Sequence, residues 1–155
     1  MANDFRLLVF ALDGRRFALP LSIVERAEPA VAVAPLPKAP DGVLGLINWR
    51  GRMLAVYDCR SRFGLAARDP LLSDRFILAR TRNRMVVLAV DAVEGIVACP
   101  ADKITPSGAD LPQFPYVGGV AMLADGTVVI HDIDTFLSQD QEAVLAAALA
   151  EAGAE

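Results

Sequence analysis

Few residues in this sequence can do chemistry, and their spacing works against most reactions. The single histidine, His131, is followed by Asp132, and Asp134 stands two places further on. A histidine beside a carboxylate can act as a base with its orienter, and two carboxylates on one face can hold a metal or share acid–base work. Adjacent strand residues point to opposite faces, however, so His131 and Asp132 cannot readily face each other. No motif places a serine or cysteine nucleophile. Asp132 closes a β-rich run just before a short turn, as Asp58 does earlier. An aspartate in that place caps the turn through its side-chain oxygen. His131 is therefore expected to be structural or on the surface, and Asp58 and Asp132 to be caps. Cys59 and Cys99 are too few and too far apart for a disulfide framework or a zinc site. The glycines form neither a dinucleotide fingerprint nor a phosphate loop. No catalytic residue, metal or cofactor is expected.

One stretch stands out. Arg50, Arg52, Arg60, Arg62 and Arg68 lie close together with Trp49 and Phe63 interspersed, offset only by Asp58 and Asp69. Arginine next to tryptophan is a common anchor pair at interfaces, so the expectation is a protein-binding patch. Nucleic acid is excluded as a partner: the chain carries a net charge of −4 and no recognition motif.

These residues must be positioned by short strands. Apolar residues make up 54% of the 155 and charged ones 22%, enough to build a core. The longest charge-free stretch, residues 111–124, is interrupted by Pro112, Pro115, Gly118 and Gly119 and falls short of the roughly 18 residues a membrane span needs. The start, Met1-Ala2-Asn3-Asp4, lacks a basic region followed by an apolar run, so a cytoplasmic location is expected. Apolar runs flank Asp13-Gly14, Arg50-Gly51, Arg82-Asn83 and Asp125-Gly126, which reads as four hairpins with Gly14, Gly51 and Gly126 at their tips.

The hairpins repeat. A shift of 69 residues lays 6–25 over 75–94 without gaps, and a shift of 74 lays 45–63 over 119–137, with Gly45 on Gly119 and Asp58 on Asp132. Two similar barrels side by side are the physical reading. The end of the chain differs. Ser138 and Gln141 fit a capping box, and Val144, Leu145, Ala148 and Leu149 share a helical face. Burial of Val144, Leu145 and Leu149 and exposure of Glu142 and Glu151 are expected. The residues alone thus describe a small all-β protein with a binding or scaffolding role.

A resemblance adds to this. Leu8-Val9-Phe10 before the Gly14 turn, Phe17-Ala18-Leu19-Pro20, Val24-Glu25-Arg26, the run from Leu36-Pro37 through Val43-Leu44-Gly45-Leu46-Ile47-Asn48 to Arg50-Gly51, and Asp58, Arg60, Arg62-Phe63-Gly64 follow one another in order. Val90-Asp91, Ile104, Pro106, Gly118-Gly119-Val120, Ile130, Asp132-Ile133 and Phe136-Leu137 continue the pattern. Together they resemble the CheW family of chemotaxis coupling proteins.

The resemblance implies two SH3-like five-stranded β-barrels packed side by side plus a C-terminal amphipathic helix. It implies a domain over residues 5–138 whose chain can cross between barrels, a helix over 139–152, and flexible ends at 1–4 and 153–155. It implies no enzyme activity. The implied partners are the regulatory domain of the histidine kinase CheA, the cytoplasmic tip of a methyl-accepting chemoreceptor, and other CheW-like domains in rings; the membrane is reached only through receptors. Carried onto this sequence, the receptor groove comprises Val24, Arg26, Ala27, Ile47, Asn48, Arg50 and Gly51, and Leu111 falls in the kinase contact. The chain departs from the family's pattern at Arg26, where a glutamate is common, and at Ala27, Trp49 and Cys59.

Overall fold

Residues 4–106 and 117–153 are described in the computed structural model. The strands are β1 (Asp4–Leu12), β2 (Arg15–Pro20), β3 (Val24–Pro29), β4 (Val43–Trp49), β5 (Arg52–Asp58), β6 (Arg75–Arg80), β7 (Met85–Val90), β8 (Ala92–Pro100), β9 (Ile104–Pro106), β10 (Val117–Leu123) and β11 (Gly126–His131). Two helices join them, the single turn α1 (Cys59–Arg62) and the longer α2 (Gln139–Glu151). One sheet runs β8-β1-β2-β11-β10-β9 and the other β3-β6-β7-β5-β4. The expected five strands per barrel become six in the first sheet, because the three-residue β9 adds to β10.

Several strands are apolar on both faces. In β1, Leu7 and Val9 point one way, Leu8, Phe10 and Leu12 the other, and all five are buried. A strand buried on both faces reads as a continuous apolar run and must lie between two cores. Leu7, Val9, Ala18, Cys99, Ala121, Val128 and Ile130 fill one barrel. Ile47, Leu54, Val56, Phe76, Leu78 and Val87 fill the other. The opposite faces of the same strands contribute Leu8, Phe10, Phe17, Leu19, Tyr57, Ile77 and Leu88 to the largest cluster, shared by both sheets. This double burial accounts for a mean hydropathy of +0.40. Among the described residues no helix is long and apolar enough to cross a membrane.

The internal repeat is present at the level of register. Leu8 pairs with Leu19, and 69 residues on Ile77 pairs with Leu88. β3 bulges past Glu25 between Val24 and Arg26, and β8 bulges past Glu94 between Val93 and Gly95. The parallel pair Phe17–Val129 has its counterpart in Val86–Ala55. Neither barrel is built from one repeat alone. Hairpin β1–β2 of the first repeat joins β10–β11 of the second, and β6–β7 joins β4–β5.

Local chemistry sets the tips. Asp13-Gly14 and Arg50-Gly51 are two-residue turns with φ of 53° and 75°, and of 52° and 84°. These match the mirror-image turn that suits the twist of a hairpin. The fourth hairpin differs from expectation: Leu123 pairs with Gly126, so Ala124 and Asp125 form the turn and Gly126 opens β11. Gly45 has a different constraint. Residue 34 bonds to Leu46 in both directions, and a Cβ on Gly45 would stand 2.1 Å from the Ala34 carbonyl oxygen.

Each barrel also clasps the other. The Asp13 N–H donates to Asp91 Oδ2 at 2.7 Å, where the chain passes from β7 to β8. The Arg82 N–H donates to Asp134 Oδ1 at 2.7 Å, joining the tip of β6–β7 to the helical turn after β11.

The Ser138 hydroxyl accepts the Gln141 N–H, and the Gln141 side chain accepts the Ser138 N–H, completing the capping box of α2. Leu145, Ala148 and Leu149 are buried in the shared core. Val144, expected to be buried, is 45% exposed. It lies about 100° around the helix from Leu145, off the narrow seam that touches the body. Glu142, expected to be exposed, is drawn in. It lies on the seam one turn before Leu145, and Arg84 pairs with it at a partly buried site.

Candidate partner-binding surface

The tip of β4–β5 and the outer strand β3 meet where the second sheet curls round. Arg26, on β3, has its guanidinium carbon 5.7 Å from the centre of the Trp49 ring. Arg50, in the turn, lies over the same ring at 4.7 Å. Such placements are attractive because the ring face is electron-rich. The Asn48 side-chain oxygen accepts the Gly51 N–H at 2.9 Å and braces the turn. Glu28 pairs with Arg26 Nε at 2.5 Å. Of the sequence-derived groove residues, Arg26, Asn48, Arg50 and Gly51 are exposed, Val24 and Ala27 half-buried, and Ile47 sits inside the barrel at 5% exposure. Ile47 therefore supports the surface from beneath. Leu111 lies outside the described residues. Trp49, absent from the sequence-derived groove, is the ring on which both arginines lie; its position next to Arg50 was the available signal. A cleft of about 370 Å³ opens beside the tip, bounded by Gly51, Arg52, Met53, Met85 and Leu149.

The basic stretch divides into two parts. Arg60 donates to both oxygens of Asp91 at 2.6 Å, and Arg68 binds Asp74 at 2.6 and 3.0 Å and Asp91 at 2.6 Å. Arg62 lies 4.9 Å over the Phe136 ring and donates to the Asp41 carbonyl and to Gln141. These three hold the body together. Arg50 and Arg52 are exposed and form no ion pair among the described residues. The basic stretch is thus not one continuous exposed surface: Arg60, Arg62 and Arg68 have partners within the body, and Arg50 and Arg52 lie exposed at the hairpin tip.

The Arg68 hydrogen bond holds the Asp74 carboxyl below the usual carboxylate range. Burial would raise Asp91, but the Asp13 N–H and the Arg60 and Arg68 guanidiniums outweigh it and hold that carboxyl low too. Arg68→Glu is therefore expected to destabilise the fold by about 2 kcal/mol, because it removes the shared cation and sets a third carboxylate beside two others. Urea unfolding measures this. An unchanged midpoint would show that the network contributes nothing. Arg52→Glu is the better surface control for charge.

The residues that could have been catalytic have other tasks. Asp58 Oδ1 accepts the Arg60 N–H and Asp132 Oδ1 the Asp134 N–H, both at 3.1 Å, so both aspartates are caps as expected. His131 is 1% exposed, with Phe63 edge-on at 4.9 Å and Phe136 stacked at 5.8 Å. It is a core side chain.

Residues 6–141 match the CheW-like domain family. The chemotaxis protein CheW of Rhizobium meliloti is 29% identical over 140 residues, covering 88% of this chain and 90% of that protein. The chemotaxis protein CheW of Thermotoga maritima is 27% identical over 142 residues, covering 88% and 90%. In fold, the crystal structure of the scaffolding protein TtCheW from Thermoanaerobacter tengcongensis matches with a TM-score of 0.81 at 24% identity, over 91% of this chain and 96% of that one.

Proposed function

The chain belongs to the CheW-like domain family of chemotaxis coupling and scaffold proteins, and from that premise we propose that it is a non-enzymatic cytoplasmic adaptor joining a methyl-accepting receptor to a CheA-type histidine kinase. The observation that carries this reading is the extent of the family match, which spans both barrels and reaches into α2. The tip formed by Arg26, Asn48, Trp49, Arg50 and Gly51 supports a receptor contact, since Arg26, Asn48, Arg50 and Gly51 are exposed and Arg50 forms no ion pair among the described residues. Leu111 is assigned to the kinase contact by family likeness. Other CheW-like domains join through the barrels, and the membrane is reached only through the receptor.

The test is reconstitution. The purified chain is mixed with the kinase regulatory domain and the cytoplasmic receptor hairpin from the same genome, and complexes are resolved by size. A single complex containing all three is the expected result. Failure of the chain to bind either partner would overturn the adaptor reading.

A further inference from the structure

We infer that this chain exchanges halves with a second copy of itself. It opens at the exposed segment 66–73 and closes again as a dimer, in which each pair of barrels is built from the first half of one chain and the second half of the other. The inference concerns assembly and does not depend on the adaptor reading.

The first observation is how the strands are shared. Segment 66–73 divides the chain into β1–β5 with α1 and β6–β11 with α2, and it also separates the two copies of the internal repeat. Among the described residues, the strands of the first half pair with one another only in the hairpins β1–β2 and β4–β5, and these lie in different sheets. The second half is divided in the same way, with β6–β7 in one sheet and β9, β10 and β11 in the other. The ladders that close the barrels run between halves: β1 with β8, β2 with β11, β3 with β6, and β5 with β7. A half chain by itself is a set of separate hairpins with both cores open to water, an arrangement that is marginal until a complementary half covers it.

The second observation is that the polar and aromatic contacts follow the same division. Arg16 binds Glu94 and Asp125, Arg60 binds Asp91, Arg80 pairs with Glu25, and Lys38 with Glu151. Each joins a residue of the first half to one of the second. So does the stack of Tyr57 on Phe136, at 4.3 Å. All of these contacts are the same whether the second half belongs to the same chain or to another copy. An exchanged dimer therefore differs from two monomers only at the hinge and in the entropy of association, the condition under which swapping is a low-cost route to a dimer.

The third observation is the link. Residues 66–73 are exposed and lie outside both sheets, and Leu72 is fully open to solvent. Straightening this segment withdraws no side chain from a core. Arg60 Nη1 donates to the Ala66 carbonyl at 3.2 Å and holds that residue to the first half. Asp74 holds Arg68 to the second half. Ala67 stands between the two ties, so a change of its backbone angles opens the chain and keeps both, as hinges of a few loop residues do. The cleft beside the β4–β5 tip has Gly51, Arg52 and Met53 on one wall and Met85 and Leu149 on another. In the exchanged dimer two chains build each such cleft, and one particle carries two of them, which makes it bivalent.

The experiment refolds the full chain from urea over a range of concentrations up to millimolar and resolves the products by size. The ratio of dimer to monomer should rise about tenfold for each tenfold increase in concentration while monomer predominates. A protease recognition sequence inserted between Leu71 and Leu72 then tells the two kinds of dimer apart. Cutting an exchanged dimer should release two particles of monomer mass, each holding one fragment from each chain. A second arm needs no insertion and decides the question if the inserted sequence prevents folding. Phe5→Cys sets a thiol opposite Cys99 across β1 and β8, and chains labelled with light and heavy nitrogen are refolded together and oxidised. About half of the 5–99 links in the dimer should join a light peptide to a heavy one, against none in the monomer. Absence of a dimer at millimolar concentration overturns the proposal. So does a dimer that keeps its mass after cutting, or one whose 5–99 links join only peptides of the same isotope, since either would be two closed monomers in contact.

Discussion

A chain ending after Ser138 is expected to lose about 3–6 kcal/mol of stability, because α2 takes Leu145 and Leu149 out of water, at 0% and 3% exposure, and each fully buried leucine contributes roughly 1.5–3 kcal/mol. Total stability for a domain of this size is only about 5–15 kcal/mol, so the truncated chain should be unfolded or close to it at 37 °C. The loss has a second source. Arg84, whose side chain is 17% exposed beside Glu142, would keep a partly desolvated charge with its partner removed. Point variants resolve the case where truncation prevents folding. Leu145→Ala should cost about 3 kcal/mol, and Val144→Ala, on the exposed flank, about 0.5 kcal/mol or less. Urea titrations of the three chains measure this. A truncated chain with the midpoint of the parent would show that α2 does not stabilise the barrels.

The hairpins, the helix cap and the aspartate caps were legible because each depends on residues within a few places of one another. Asp13-Gly14 has to turn, Ser138 can reach the Gln141 N–H, and Asp58 can reach the Arg60 N–H wherever the rest of the chain lies. The repeat was legible as self-similarity, but its exchange of hairpins between barrels was not. The continuous apolar run Phe17-Ala18-Leu19 in β2 says that both faces are buried and does not say that the neighbouring strand is β11, more than a hundred residues away. The basic stretch misled for the same reason. Arg50, Arg60 and Arg68 are close in sequence, yet the carboxylates that take up Arg60 and Arg68 come from Asp74 and Asp91, whereas the Arg50 side chain remains exposed. Trp49 was visible as an arginine's neighbour. That Arg26 reaches its ring follows only from the closure of the second barrel. Val144 and Glu142 exchanged roles because a helical face drawn from periodicity is wider than the seam by which α2 touches the body.

Stability is expected to fall as pH drops from about 6.5 toward 4.5, through one residue. His131 is the only histidine, and burial pushes its pKa down to about 3, against an ordinary value near 6.5 in the unfolded chain. Above pH 6.5 the ring is neutral in both states and contributes no pH dependence. Between the two values the unfolded chain binds a proton that the fold excludes, so stability declines by about 1.4 kcal/mol per pH unit, or about 3 kcal/mol by pH 4.5. The carboxylates act in a lower window. Asp74 and Asp91 are held below the usual range, so their contribution is complete above the ordinary carboxylate value of about 3.9 and is lost only beneath it. The interval from 6.5 to 4.5 therefore isolates the imidazole. His131→Leu keeps an apolar side chain between Phe63 and Phe136 and removes the titrating group, so its stability should be level across that interval. Urea unfolding at four pH values gives both curves, and the single imidazole resonance gives the pKa directly if the variant folds poorly. A parent curve that stays flat, or a resonance titrating near 6.5, would mean that His131 is solvated in the native protein and that the barrels pack differently around it.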